Sequence, residues 1–131
     1  SMKGKWTYVY FSRRMCDQTC NGVIESLVRV RFSRGKHKDR VQFLVPIVSP
    51  VADLSSNESA SHPATLTAQI DTAAWGRWRE RFSVEGSTPP EADRIYLLDP
   101  LGYLMMSYPR AIDPNDIRKD LARLMRVSRV G

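Results

Sequence analysis

The chain has 131 residues, of which 42% are apolar and 26% charged, and it carries a net charge of +6. That size supports one hydrophobic core without metals or disulfides as staples, and two cysteines exclude the disulfide framework of small secreted domains. No apolar run approaches the roughly 18 residues that span a bilayer. The basic residues are spread along the chain and no reader motif accompanies them, so specific nucleic-acid binding is not expected. No signal peptide is read in the opening Ser1-Met2-Lys3-Gly4-Lys5, and Ser1-Met2 reads as an expression scar. One domain over residues 1–131 is expected, as a soluble piece of a longer protein.

Trp6 to Ser12 (WTYVYFS) is aromatic and β-branched and predicts a buried strand. Arg13-Arg14-Met15 predicts a turn, and a helix begins at Cys16 or Thr19. Its apolar face is Cys20, Val23, Ile24, Leu27 and Val28, at spacings of three and four. Asp17 near its start suits the helix dipole. Gly35 ends the helical region and Lys36 to Arg40 form a solvated connection. Val41 to Val48 (VQFLVPIV) predicts a second buried strand, with Pro46 marking a bulge or an edge position. Ser49 to Pro63 is small and polar and reads as a long mobile loop.

Thr65 to Ile70 predicts a third strand. Thr72 to Phe82 predicts a short amphipathic helix with Ala73, Ala74, Trp75, Trp78 and Phe82 on its apolar face. A loop covers Glu85 to Pro90. Arg94 to Leu98 and Tyr103 to Ser107 predict two strands joined by Asp99-Pro100-Leu101-Gly102, whose proline and glycine suit a tight hairpin turn. Asp113 is the expected N-cap of the last helix, with Pro114 at its first position. Ile117, Leu121, Leu124 and Met125 form its buried stripe, while Arg118, Lys119, Arg123 and Arg126 face outward. An early strand–helix–strand unit requires a crossover and parallel pairing. The order predicts an α/β, thioredoxin-like fold: a central mixed β-sheet flanked by helices.

The chemistry-bearing feature is Met15-Cys16-Asp17-Gln18-Thr19-Cys20, at the seam of the first strand and the first helix. Open α/β sheets place ligands at the carboxyl ends of their strands. Unpaired N–H groups at a helix start favour a thiolate and lower its pKa. Arg13 and Arg14 would push the same way and Asp17 the opposite way. If Cys16 lies in the turn before the helix, its sulfur can reach that of Cys20, which makes a disulfide feasible and equally a two-thiolate site for a soft ion such as Cu(I). The plainer alternative is two structural thiols. Third-ligand candidates are Met15, His37, His62, Met105 and Met106. His37 lies among lysines and reads as a solvated surface residue. His62, in the long loop, could fold over the cysteines. Alternation sends one of Met105 and Met106 to the core.

The strand WTYVYFS, the Cys16-x-x-x-Cys20 pair, the following hydrophobic strand and the segment RIYLLDPLGYLMMSYP together resemble the Sco-type, thioredoxin-like family. IYLLDPLGYLMM and DLARLMRVSRVG look closest to a bacterial, membrane-anchored subgroup associated with cytochrome oxidase assembly. The resemblance covers nearly the whole chain. It implies copper bound through Cys16 and Cys20 together with a histidine shortly before the strand Arg94–Leu98. Here Glu91, Ala92, Asp93 and Arg94 occupy that stretch, and the family's prolines between the cysteines are replaced by Asp17, Gln18 and Thr19.

The resemblance thus implies an accessory protein of cytochrome c oxidase assembly at the periplasmic face of the bacterial inner membrane, anchored by a segment absent here. It would act as a Cu(I) carrier, or as a thiol reductant, for a copper-receiving oxidase subunit. Two alternatives stand beside it. One is a general thiol-disulfide oxidoreductase with Cys16 as nucleophile and Cys20 as resolving thiol. The other is a binding module with a structural disulfide, contacting an acidic partner or anionic lipid through its basic last helix.

Overall fold

The fold is built outward from β1 (Trp6–Tyr10), in which every residue is buried. In the computed structural model, residues 4–12, 18–48, 65–70, 72–84, 86–89 and 93–127 are described. A strand buried on both sides must sit in the middle of a sheet with layers above and below it. β1 does: the five strands run in the order β3-β2-β1-β4-β5. β2 (Val41–Val48) pairs parallel with β1 and with β3 (Thr65–Ile70), while β4 (Arg94–Leu98) and β5 (Leu104–Pro109) add antiparallel.

Alternation along the strands separates two cores. Trp6, Tyr8 and Tyr10 of β1, Val41, Phe43 and Val45 of β2, and Ile95 and Leu97 of β4 meet α1 (Gln18–Phe32) and α3 (Pro114–Val127). Val9, Phe11, Leu44, Tyr96 and Leu98 face the other way, toward Trp78 and Phe82 of α2 (Thr72–Arg81) and the residue after it. The predicted thioredoxin-like arrangement is therefore present.

Helix ends follow the sequence closely. Asp113 caps α3: its Oδ1 accepts from the Asn115 N–H at 2.9 Å, and Pro114 opens the helix. Past α1, Gly35 takes φ +55°, a left-handed conformation that glycine adopts without cost. The hairpin between β4 and β5 is a turn organised by Asp99, whose Oδ1 accepts from the N–H groups of Leu101 and Tyr103, both at 2.9 Å. Gly102 there has φ +93°.

Four details depart from the sequence reading. Lys36–Arg40 belongs to a 3-10 helix, Gly35–Arg40, which Arg31 ties down by donating to the Val41 carbonyl (3.0 Å) and to Asp39 (2.9 Å). In α1 the buried stripe is centred nearer Val30 than Val28, because the helix also leans on β2. β5 starts one residue later than predicted and runs to Pro109, since Tyr103 is used to close the turn.

Pro46 creates neither a bulge nor an edge. β2 is interior and its register with β3 is unbroken. Proline is tolerated because the β1 ladder has ended by then, and the Pro46 carbonyl instead accepts the Ser12 N–H at 3.0 Å. The bulge is in β5 instead. Leu97 pairs with Met106 but Leu98 pairs with Leu104, so Met105 is the extra residue. Leu104 is thereby turned toward α2 while Met106 packs beneath α1 and α3.

The pairing fixes direction. β1, β2, β3 and β5 end at one pole and β4 ends at the other. α1 leaves the end of β1 and returns to the start of β2; α2 follows β3 and α3 follows β5. All three helices therefore run opposite to β1.

Candidate functional site

The described part of the cysteine motif, Gln18 to Cys20, falls at the pole where β1 ends and all three helices begin. Met15, Cys16 and Asp17 lie outside the described residues, as do Arg13, Arg14 and His62. The described half of the motif is Gln18, Thr19 and Cys20 in the first turn of α1. Gln18 and Thr19 are exposed, whereas Cys20 is 1% exposed and packed in the α1/α3 core with Tyr10 and Ile24. The Cys20 sulfur is disulfide-bonded.

Beside it lies a depression of about 280 Å³. Gln18, Thr19 and Gly22 of α1 line it together with Ile95, Arg110 and Ile112. The rim is organised by Asp93, a non-glycine residue with φ +52°. Left-handed backbone in such a residue needs support from its surroundings. The support is explicit: Oδ1 accepts from the Tyr10 hydroxyl at 2.8 Å, Oδ2 from Arg110 Nε at 2.6 Å, and the Asp93 carbonyl from the Arg110 N–H at 3.1 Å. One carboxylate thus ties the end of β1, the start of β4 and the β5–α3 loop together. The sequence reading missed this trio. Its members are 83 and 17 residues apart, and no spacing rule connects them.

The third-ligand candidates separate cleanly. His37 sits in the 3-10 helix past the far end of α1, with Nδ1 3.4 Å from Arg40. From Cys20 to the end of α1 alone is about 18 Å at 1.5 Å per residue, so His37 cannot reach Cys20. Met105 is exposed on the edge strand. The Tyr108 hydroxyl donates to Asp120 Oδ2 at 2.8 Å, with the Met106 sulfur 3.1 Å from the same hydroxyl oxygen. Burial first, and then the bond to Asp120, push the Tyr108 phenol above its usual range. Among the described residues no three His, Cys, Asp or Glu side chains gather as a metal site.

A family model described as transmembrane-like, thioredoxin-like, C-terminal domain matches residues 6–128. The chain belongs to that family. This transmembrane-like, thioredoxin-like domain is similar in fold to solved Sco structures. Copper-bound yeast Sco1 superposes with TM-score 0.74 at 20% identity, covering 97% of this chain and 79% of that one. Arabidopsis thaliana ScoI with copper bound gives 0.73 at 15%, covering 97% and 88%. Bradyrhizobium japonicum ScoI with copper bound gives 0.63 at 20%, covering 93% and 86%. No curated protein matches the sequence. No described helix of the domain is long and apolar enough to cross a membrane.

Proposed function

We propose that the domain is a Sco-like accessory protein of cytochrome c oxidase assembly that works chiefly as a thiol reductant through Cys16 and Cys20. The observation that carries this reading is Cys20: disulfide-bonded and sealed under the first turn of a helix at the carboxyl end of β1. A buried cysteine in that place suits the resolving role. Cys16, the other cysteine of the chain, would then be the attacking thiolate, favoured by the electropositive start of α1.

The chemistry balances as an exchange. The Cys16 thiolate attacks one sulfur of a partner disulfide, and the departing partner sulfur takes up a proton. The Cys20 thiolate then attacks the Cys16 sulfur of the mixed disulfide. The partner leaves with two thiols, and the domain keeps the two-electron oxidised form. A member of the Sco family of cytochrome c oxidase assembly proteins in which a disulfide switch has been identified shares this fold, with TM-score 0.66 and 16% identity.

Cu(I) is the second cargo to consider. Two thiolates are soft donors suited to it, and relatives of this fold hold copper. The partner in this reading is a copper-receiving oxidase subunit. The place is the periplasmic face of the bacterial inner membrane, with an anchor outside this chain.

The test is redox titration against glutathione together with trapping by a peptide disulfide. A Cys20→Ser variant is expected to accumulate a mixed disulfide through Cys16, and Cys16→Ser to accumulate none. A pair with a potential below about −300 mV would resist the glutathione pool, and would make this bond a structural staple instead. Cu(I) competition against a chelator, compared with the double serine variant, measures the copper role separately.

A further inference from the structure

The pole opposite the cysteines has a composition of its own. Five large apolar side chains are exposed among the described residues: Phe32, Leu101, Tyr103, Met105 and Val127. Four of these gather at this pole. Phe32 ends α1 and Val127 ends α3, both of which run toward it. Leu101 and Tyr103 form the β4–β5 turn, which the Gly4 N–H fastens to the start of β1 by a 2.7 Å bond to the Pro100 carbonyl. Their exposures are 54%, 66%, 57% and 67%, too high for side chains at the margin of a core.

Cations share these elements with two carboxylates that are already engaged, Asp39 by Arg31 and Asp99 by the N–H groups of its turn. Lys36 and Lys38 lie on the 3-10 helix after Phe32, with Lys38 Nζ 5.0 Å from the centre of the Phe32 ring. Arg81 ends α2 and donates to the Gly102 carbonyl of the same turn, and Arg126 precedes Val127. Singly exposed apolar residues need no explanation, but four at one end, with lysines and arginines on the same or neighbouring elements, do. Amphipathic basic side chains reach past apolar neighbours to phosphates while the apolar groups enter the headgroup boundary.

We propose that this pole is a peripheral docking surface for an anionic lipid bilayer. Phe32, Leu101, Tyr103 and Val127 enter the interface, and Lys36, Lys38, Arg81 and Arg126 pair with lipid phosphates. Docked in this way, the domain holds the Cys20 end away from the membrane, facing the aqueous side. The inference is independent of the redox reading, since neither cysteine takes part in it.

Flotation of the intact chain with vesicles tests it, using phosphatidylcholine alone and phosphatidylcholine with about 30% phosphatidylglycerol. Binding is expected only to the anionic vesicles, strong at about 50 mM salt and mostly lost at about 500 mM. Reversing Lys36 and Lys38 to Glu should lower binding at least about tenfold. The same reversal at Arg118 and Lys119, near the cysteine end of α3, should lower it less than about threefold. Replacing Leu101 and Tyr103 by Ser should weaken binding even at low salt. If a reversal variant fails to fold by circular dichroism, Lys36→Gln with Lys38→Gln takes its place.

Absence of binding to anionic vesicles overturns the proposal. So does equal loss from the two charge reversals, which would reveal net charge alone, or no loss from the two serines. Binding to polyglutamate but not to vesicles would assign the pole to an acidic protein and overturn the lipid assignment.

Discussion

The two faces of the sheet are packed by different chemistry. Under α1 and α3, three tyrosines run in from the strands, and their hydroxyls meet three fates: Tyr10 binds Asp93, Tyr108 binds Asp120, and Tyr8 has no hydrogen-bond partner among the described residues. Under α2 the cohesion is between rings. Phe82 meets Phe11 and Tyr96 edge-on at 5.1 Å and stacks on Trp78 at 5.9 Å. The first face couples its core to the cysteine rim through polar tips. The second anchors a helix by shape and says nothing to the rim. Mutations on the two faces should therefore fail in different ways.

The largest effect is expected from Phe82→Ala, which empties the centre of the ring cluster. It should cost about 3–5 kcal/mol in chemical denaturation while leaving the cysteine potential unchanged. A cost under about 1 kcal/mol would mean that α2 is held some other way. On the opposite face, Leu121→Ala should cost about 2–5 kcal/mol, since its side chain is fully buried between α3 and the sheet. Here the comparison sharpens: loosening α3 should also shift the cysteine potential, because Cys20 shares that core.

Asp93→Ala removes the acceptor of the Tyr10 hydroxyl bond and leaves a left-handed alanine, for about 1–3 kcal/mol. Asp93→Asn keeps an acceptor for Tyr10 and tolerates the backbone, so it should recover most of that loss. If both variants match the parent in stability and in exchange rate with a peptide disulfide, the carboxylate is not organising the rim.

The smallest effects separate the two other tyrosines. Tyr108→Phe should cost about 1 kcal/mol by breaking the bond to Asp120, and Tyr8→Phe should be neutral or slightly stabilising. Both phenols are pushed above their ordinary pKa, chiefly by burial. A group whose folded pKa is raised stabilises fully below its unfolded value, near pH 10, and loses that contribution as pH rises further. Thermal melts should therefore fall with pH above about 10, and less steeply in either Phe variant.

Most of the scaffold was legible because it rests on local signals. Strand alternation, the Asp113-Pro114 helix start and the Asp99 turn each carry their physics within a few residues. What escaped notice depends on tertiary partners. The β5 bulge is invisible because LMMSY alternates acceptably in either register, and only pairing with β4 shows Met105 to be the extra residue. Pro46 looked like an edge signal because the local rule cannot know that β1 stops before it. The rim was half legible: Cys20 stood out by its spacing, whereas the Tyr10–Asp93–Arg110 trio exists only once the sheet has formed.

The shared direction of the three helices has one more consequence. Each helix carries roughly half a positive charge at its start and half a negative charge at its end. Because α1, α2 and α3 all begin at the same end of the sheet, these fractions add rather than cancel. The molecule is electrically polar from its backbone alone. Arg29 and Arg31, Arg79 and Arg81, and Arg126 sit in the last turns, where they offset the negative ends. The positive ends have no such compensation in the first turns of α1 and α2, which contain no acidic residue. At the start of α3, Asp113 and Asp116 supply that compensation, so side chains temper the backbone field at both ends of the sheet.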